Sequence, residues 1–163
     1  MIYINKGKEP KWLSIMKEKN PKLTYDDKKF TSEYKEKLKE QLVKEQKGLC
    51  AYCCSKISIE TSHIEHIEPR HLKTGAYSKK SLNYDNLVAS CAGFRGEKTC
   101  GSIKGNEYDE AKFVSPLNPE CEEKFSYYPD GEIKGDEYTI GLLHLDSYKL
   151  TKARAAVYRT IMH

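Results

Sequence analysis

The stretch at 31–48, TSEYKEKLKEQLVKEQKG, sets Tyr34, Leu38, Leu42 and Val43 among charged neighbours. That period predicts an amphipathic helix, opened by Thr31 or Ser32 and stopped at Gly48. Residues 57–68 place Ile57, Ile59, Ile64 and Ile67 between polar positions and read as extended chain ending at Pro69. LDSYKLTKARAAVYRTIMH predicts a second helix over about 145–162, with Asp146 near its start and Leu150, Ala153, Val157 and Ile161 on one face. No stop signal precedes His163, which leaves the natural chain free to continue. Residues 70–85 read as a polar loop, NLVAS and TCGSIKGN as short helical or turn pieces, and 106–140 as irregular chain punctuated by Pro116, Pro119, Pro129, Gly131 and Gly135. Residues 1–30 carry isolated apolar anchors (Ile2, Trp12, Leu13, Ile15, Met16, Leu23) and read as an arm laid on the core.

At 163 residues the chain is expected to form one domain, residues 31–163, behind that arm. Hydrophobic content of 38% against 32% charged suits a soluble protein with a modest core. No run approaches the ~20 apolar residues of a membrane span. MIYINKGKEPKW lacks the apolar stretch of a secretory signal, so a cytoplasmic location without membrane attachment is expected. The net charge is +4, yet residues 1–49 alone carry +5, thirteen Lys against eight acidic residues. Such a segment suits contact with nucleic acid as well as it suits a solvated helix face.

Six cysteines change the picture more. In a reducing compartment they point to metal before disulfides. Cys50-Ala-Tyr-Cys53 has the spacing that aims two thiolates at one ion, although redox pairs share it. Cys91 and Cys100 form a second pair, separated by more than the usual two residues. FRGEKT between them is turn-like and lets both sulfurs meet. A four-cysteine zinc site that staples a core at about 50–106 is expected, with buried or redox thiols as the alternative. Cys54 and Cys121 read as small buried hydrophobes.

Between the pairs lies SHIEHIEPR, residues 62–70, with two histidines and two glutamates close together. CAYC, HIEHIEPR, NYDNLVASC and TCGSIKGN together resemble the HNH endonuclease superfamily, whose core is a ββα-metal fold. MIYINKGKEPKWL, KEQKGLCAYC and LHLDSYKLTKAR resemble retron-associated HNH proteins and the nuclease subunit of Septu-type anti-phage systems. The resemblance spans essentially the whole chain. It implies an α+β fold, a ββα core on a four-cysteine zinc frame flanked by an N-terminal and a C-terminal helix.

It also implies chemistry. His66 is cast as general base on water and Glu65, in place of the commoner Asp, as ligand of a catalytic Mg2+ or Mn2+. Asn86 matches the family's middle Asn, a loop-bracing group or a metal ligand. Family members often place His or Asn directly after the last cysteine, where this chain has Gly101. The ion must then be completed by Asn86, by His63 or by water. His63 shares a strand face with Glu65 under period-two alternation, and is otherwise a hydrogen-bonded surface residue. Lys104 matches a family lysine expected on backbone phosphate, or is solvated. Arg70 is expected at the rim, able to grip a phosphate. His71 and His144 are read as structural. The implied partners are nucleic acid, DNA first, and an ATPase of the ABC or SMC-like kind. A non-catalytic zinc module that docks nucleic acid or protein, with Gly101 marking lost chemistry, is the competing reading, and a ribonuclease on the same scaffold a third.

Overall fold

The computed structural model describes residues 1–71 and 74–162. The expected domain end at His163 and two positions of the 70–85 loop lie outside them. Helix α2, Ser32–Glu45, is the packing platform of the site. Its stripe behaves as the periodicity requires: Leu38 and Leu42 are fully buried, with Tyr34 and Val43 packed beside them. Thr31 occupies the cap in an extended conformation without a side-chain bond. The chain leaves through Lys47 and Gly48, both at positive φ, while the Gly48 amide reaches back to the Val43 carbonyl at 2.9 Å. That closing bond fits a glycine stop.

The core hairpin is β1, Ser62–His66, paired antiparallel with β2, Leu87–Cys91, so that His63 faces Ser90 and Glu65 faces Val88. NLVAS is therefore mostly strand, not a helical or turn piece. All five β2 residues are buried, so the segment shows no alternation for a pattern to detect. Gln46, at the end of α2, clamps β2 by accepting from the Ala89 amide at 2.6 Å and donating to its carbonyl at 2.8 Å. Helix α3, Gly101–Lys104, packs against β2 from a short turn after Cys100 and completes a ββα unit.

The arm contains a helix that the sequence reading did not foresee, α1, Lys11–Lys19. Leu13 is buried in it, and Trp12 stacks on Tyr34 with centroids 5.6 Å apart. Met16 and Leu23 pack on the core, whereas Ile2 and Ile15 face outward. The segment 106–140 is more ordered than its prolines suggest. It holds a hairpin, β3 (Phe125–Tyr127) with β4 (Ile133–Gly135), and α4, Glu137–Leu143, capped by Asp136 on the Thr139 amide at 2.7 Å. Helix α5, Tyr148–Ile161, crosses the hairpin turn so closely that a Cβ on Gly131 would lie 1.9 Å from the Thr151 carbonyl oxygen. Leu150 and Ala155 of α5 are buried, but Val157 and Ile161 are exposed, so only the first half of the expected face meets the core.

Candidate metal centre and catalytic cleft

The turn after α2 and the two ends of the core unit converge on one point. The ligand atoms of Cys50, Cys53, Cys91 and Cys100 all lie within 4.8 Å of one another, and none is in a disulfide. Cys53 Sγ and Cys91 Sγ are 3.9 Å apart. Four sulfurs at ~2.3 Å from a tetrahedral ion would stand about 3.8 Å apart. The Cys91 amide donates to Cys50 Sγ at 3.3 Å, which orients that sulfur inward. Four thiols so close cannot ionise independently. Cys100, Cys53 and Cys91 hold the Cys50 thiol well below its ordinary range, and Cys50 in turn pushes Cys100 well above it. A divalent cation is the charge that would let all four act as thiolates. Of the remaining cysteines, Cys121 is fully buried and Cys54 partly so.

On the adjoining surface a cleft of about 220 Å³ is bordered by His63, Glu65, His66, Arg70 and Gly101. Glu65 is buried on β1 and has three partners. Its Oε1 takes an ion pair from Lys104 Nζ at 3.0 Å and lies 3.5 Å from the Tyr52 hydroxyl, and its Oε2 stands 3.6 Å from His63 Nε2. Burial alone would raise its pKa, but His63 and Lys104 outweigh that and hold the carboxyl below the usual range. Gly101 sets the space beside the pair. A Cβ there would lie 2.6 Å from Glu65 Oε2 and 2.7 Å from His63 Nε2. Glycine is therefore what lets Glu65 and His63 keep these positions, and the cleft they border holds one carboxylate oxygen and one imidazole nitrogen 3.6 Å apart, a donor set that fits a divalent cation.

His66 ends β1. Its Nε2 lies 2.9 Å from the Ser81 carbonyl. A carbonyl only accepts, so Nε2 carries the proton and Nδ1 is left with the free lone pair. Burial, with Arg70 and Lys104 adding to it, lowers the His66 pKa to about 4, against the pull of the Ser81 bond and Glu65. The edge of the ring meets Tyr25 of the arm at 4.7 Å. Ser81 and Tyr25 escaped the sequence reading, because a backbone carbonyl and a distant aromatic leave no local signal.

Two expected roles are corrected. Lys104 is fully buried and donates to the His66 carbonyl at 2.9 Å as well as pairing with Glu65. It is an internal brace for β1, its ammonium committed to Glu65 and the His66 carbonyl rather than held out to a phosphate. Asn86 lies outside the cleft with its amide committed: Oδ1 accepts from the Glu68 amide at 2.8 Å, and Nδ2 donates to the carbonyls of Glu68 at 3.0 Å and Lys80 at 3.1 Å. That leaves it the loop-bracing alternative, not a ligand. Arg70 does reach the cleft mouth, with its guanidinium ion-paired to Asp26 and 5.0 Å from the Tyr25 ring centroid. His71 meets Tyr77 edge-on at 4.9 Å.

Residues 50–93 match the family described as HNH endonuclease. The match takes in the hairpin and three of the clustered cysteines; the geometry adds Cys100 and α3 to the same unit. The chain is 36% identical to the Retron Vc95 putative HNH endonuclease of Vibrio cholerae serotype O1 biovar El Tor, over 54% of this chain and 42% of that protein. It is 29% identical to the Retron Ec83 putative HNH endonuclease of Escherichia coli, over 88% of this chain and 53% of that protein. The chain thus spans about half the length of the curated relatives it matches, or less. Among the described residues no helix is long and apolar enough to cross a membrane. A ββα unit, a four-cysteine cluster and a histidine–carboxylate cleft thus lie together in and beside the segment, residues 50–93, that is similar to the HNH endonuclease family.

Proposed function

We propose that the chain is a metal-dependent endonuclease that hydrolyses phosphodiester bonds of nucleic acid, DNA first. The observation that carries this reading is the pairing of Glu65 Oε2 and His63 Nε2, 3.6 Å apart, on the same cleft that His66 borders, with Gly101 packed so closely that only a glycine leaves the pair in place. Those two groups would hold Mg2+ or Mn2+. Bound there, the ion would supply Lewis-acid stabilisation of charge developing on the phosphate and on the leaving oxygen. His66 Nδ1 accepts the proton of the attacking water as the new P–O bond forms and the bond to the 3′ oxygen breaks. The Ser81 carbonyl keeps that imidazole in one tautomer, and Lys104 keeps the Glu65 carboxylate ionised and fixed. Arg70 is placed to meet a phosphate at the cleft mouth in exchange for Asp26.

Zinc is the ion that best suits four thiolates at tetrahedral spacing, and its role here is structural. The retron naming of both relatives favours a role in anti-phage defence; a cytoplasmic location and an ABC or SMC-like ATPase partner complete the reading on the strength of the sequence resemblance. The test is plasmid nicking with Mg2+ or Mn2+, with RNA in parallel. Cutting that vanishes in EDTA and in His66→Ala supports the reading. Binding of DNA with no cutting of either polymer, alone or with an ABC or SMC-like ATPase added, would leave a docking module instead.

A further inference from the structure

Helix α2 turns a second surface toward the catalytic strand. A groove of about 440 Å³ runs between them, lined by Ser32, Lys35 and Lys39 of α2, Tyr25 of the arm, and His63 and Ile64 of β1. His63 and Ile64 also border the catalytic cleft, so groove and cleft adjoin along β1. Lys35 and Lys39 are one helical turn apart, ~6 Å, and both are half-buried along the groove, whereas Glu33, Lys37 and Glu40 project into solvent. The Lys35 ammonium lies 4.7 Å from the Tyr25 ring centroid, and Arg70 lies 5.0 Å from the same centroid. Tyr25 therefore joins the two cations while its ring meets His66. Glu36 is the one carboxylate that lines the groove.

We propose that this groove is the track for the sugar-phosphate backbone on one side of the scissile bond, with Lys35 and Lys39 each holding a phosphate. The assignment rests on the nuclease reading of the cleft for its direction, because a polymer held on α2 leads past His63 to His66. The recognising chemistry is a regular polyanion: ammonium groups at one-turn spacing meet successive negative charges and release condensed counterions.

The test is binding, which does not depend on whether any bond is cut. Fluorescence anisotropy would follow labelled duplex DNA, single-stranded DNA and RNA without added divalent cation, from 50 to 200 mM NaCl. Lys35→Ala and Lys39→Ala should each reduce the slope of log K against log[salt] by about 1, and the double variant by about 2. For the double variant, that removes roughly 16-fold of the salt effect across the range. Alanine favours helix, so circular dichroism and zinc content should be unaltered. Lys37, whose ammonium lies over Trp12 at 5.2 Å, is the control, and Lys37→Ala should keep the wild-type slope. The polymer whose slope changes is the one the groove takes. Unaltered slopes in all three polymers, or an equal reduction in Lys37→Ala, would overturn the proposal in favour of diffuse charge. A chain that shows the expected slopes but nicks no plasmid would sink the nuclease reading and leave the groove standing.

Discussion

Gly101→Ala separates catalysis from folding at a single atom. The backbone there is not in the left-handed region, so alanine is allowed, and at the start of α3 it suits a helix at least as well as glycine. The added Cβ meets only the ends of two side chains, Glu65 Oε2 at 2.6 Å and His63 Nε2 at 2.7 Å. Real Cβ contacts essentially never fall under 3.0 Å, so the oxygen must retreat by at least 0.4 Å and the nitrogen by 0.3 Å. Metal sites tolerate about ±0.2 Å in ligand distance, and a displacement of ~1 Å in an active site can cost ~100-fold. The expected outcome is a melting temperature at or slightly above wild type, unaltered zinc content, and cleavage reduced ~10- to 100-fold. Part of that loss should return at high Mn2+. The assay is initial-rate plasmid nicking over a metal titration, with thermal unfolding of the same samples. Wild-type cleavage and wild-type metal dependence would refute the assignment of the ion to Glu65 and His63, because both ligand atoms must move to admit the Cβ.

Other perturbations reach the remaining parts of the site. His66→Ala should lower cleavage by at least ~100-fold with zinc content and fold retained. Because burial lowers the His66 pKa to about 4, the imidazole is already neutral above pH 5. The acid limb of kcat/KM should therefore lie near pH 4, and an inflection at 6.5 that belongs to His66 would contradict its burial. Lys104→Met leaves Glu65 buried without its counter-charge and should cost about 3–5 kcal/mol in urea unfolding, recovered in part by adding Glu65→Gln. Its DNA-binding salt slope should match wild type, whereas a reduced slope would restore Lys104 to the phosphate. Cys53→Ser or Cys91→Ser should abolish cooperative folding together with zinc binding, and folded protein found free of zinc by elemental analysis would end that claim.

The parts of the fold that the pattern revealed are those whose burial is one-sided. α2 shows its stripe because Leu38 and Leu42 face the hairpin while Lys37 and Glu40 face water. β2 is buried on both faces, so NLVAS carries no period at all. The strands of the outer hairpin are three residues each, too short to alternate visibly. The cysteines, His66 and Glu65 were visible as chemistry in sequence order, whereas their partners were set by tertiary contacts. The Ser81 carbonyl, the buried Lys104 ammonium and the lowered His66 pKa all follow from which loops close over β1. Gly101 was conspicuous as an absent ligand, but its close packing against Glu65 and His63 shows only once those side chains are placed.

β1 itself inverts the rule for a core strand. It buries Ser62, Glu65 and His66 while Ile64 is only half-buried. An ionised carboxylate in that position is costly unless paired, and replacing a buried ion pair with apolar side chains is often neutral or stabilising. Stability alone therefore gives no reason for Glu65 and Lys104 to occupy the interior. A carboxylate held ionised at the cleft, and an imidazole held neutral with one nitrogen pinned, are what the proposed phosphodiester hydrolysis would require at that strand end. The cysteine cluster offsets the cost from the other side of the same hairpin. It brings Cys91 at the end of β2 and Cys100 at the start of α3 to the turn after α2, so that a bound ion would fasten the elements that hold the polar site.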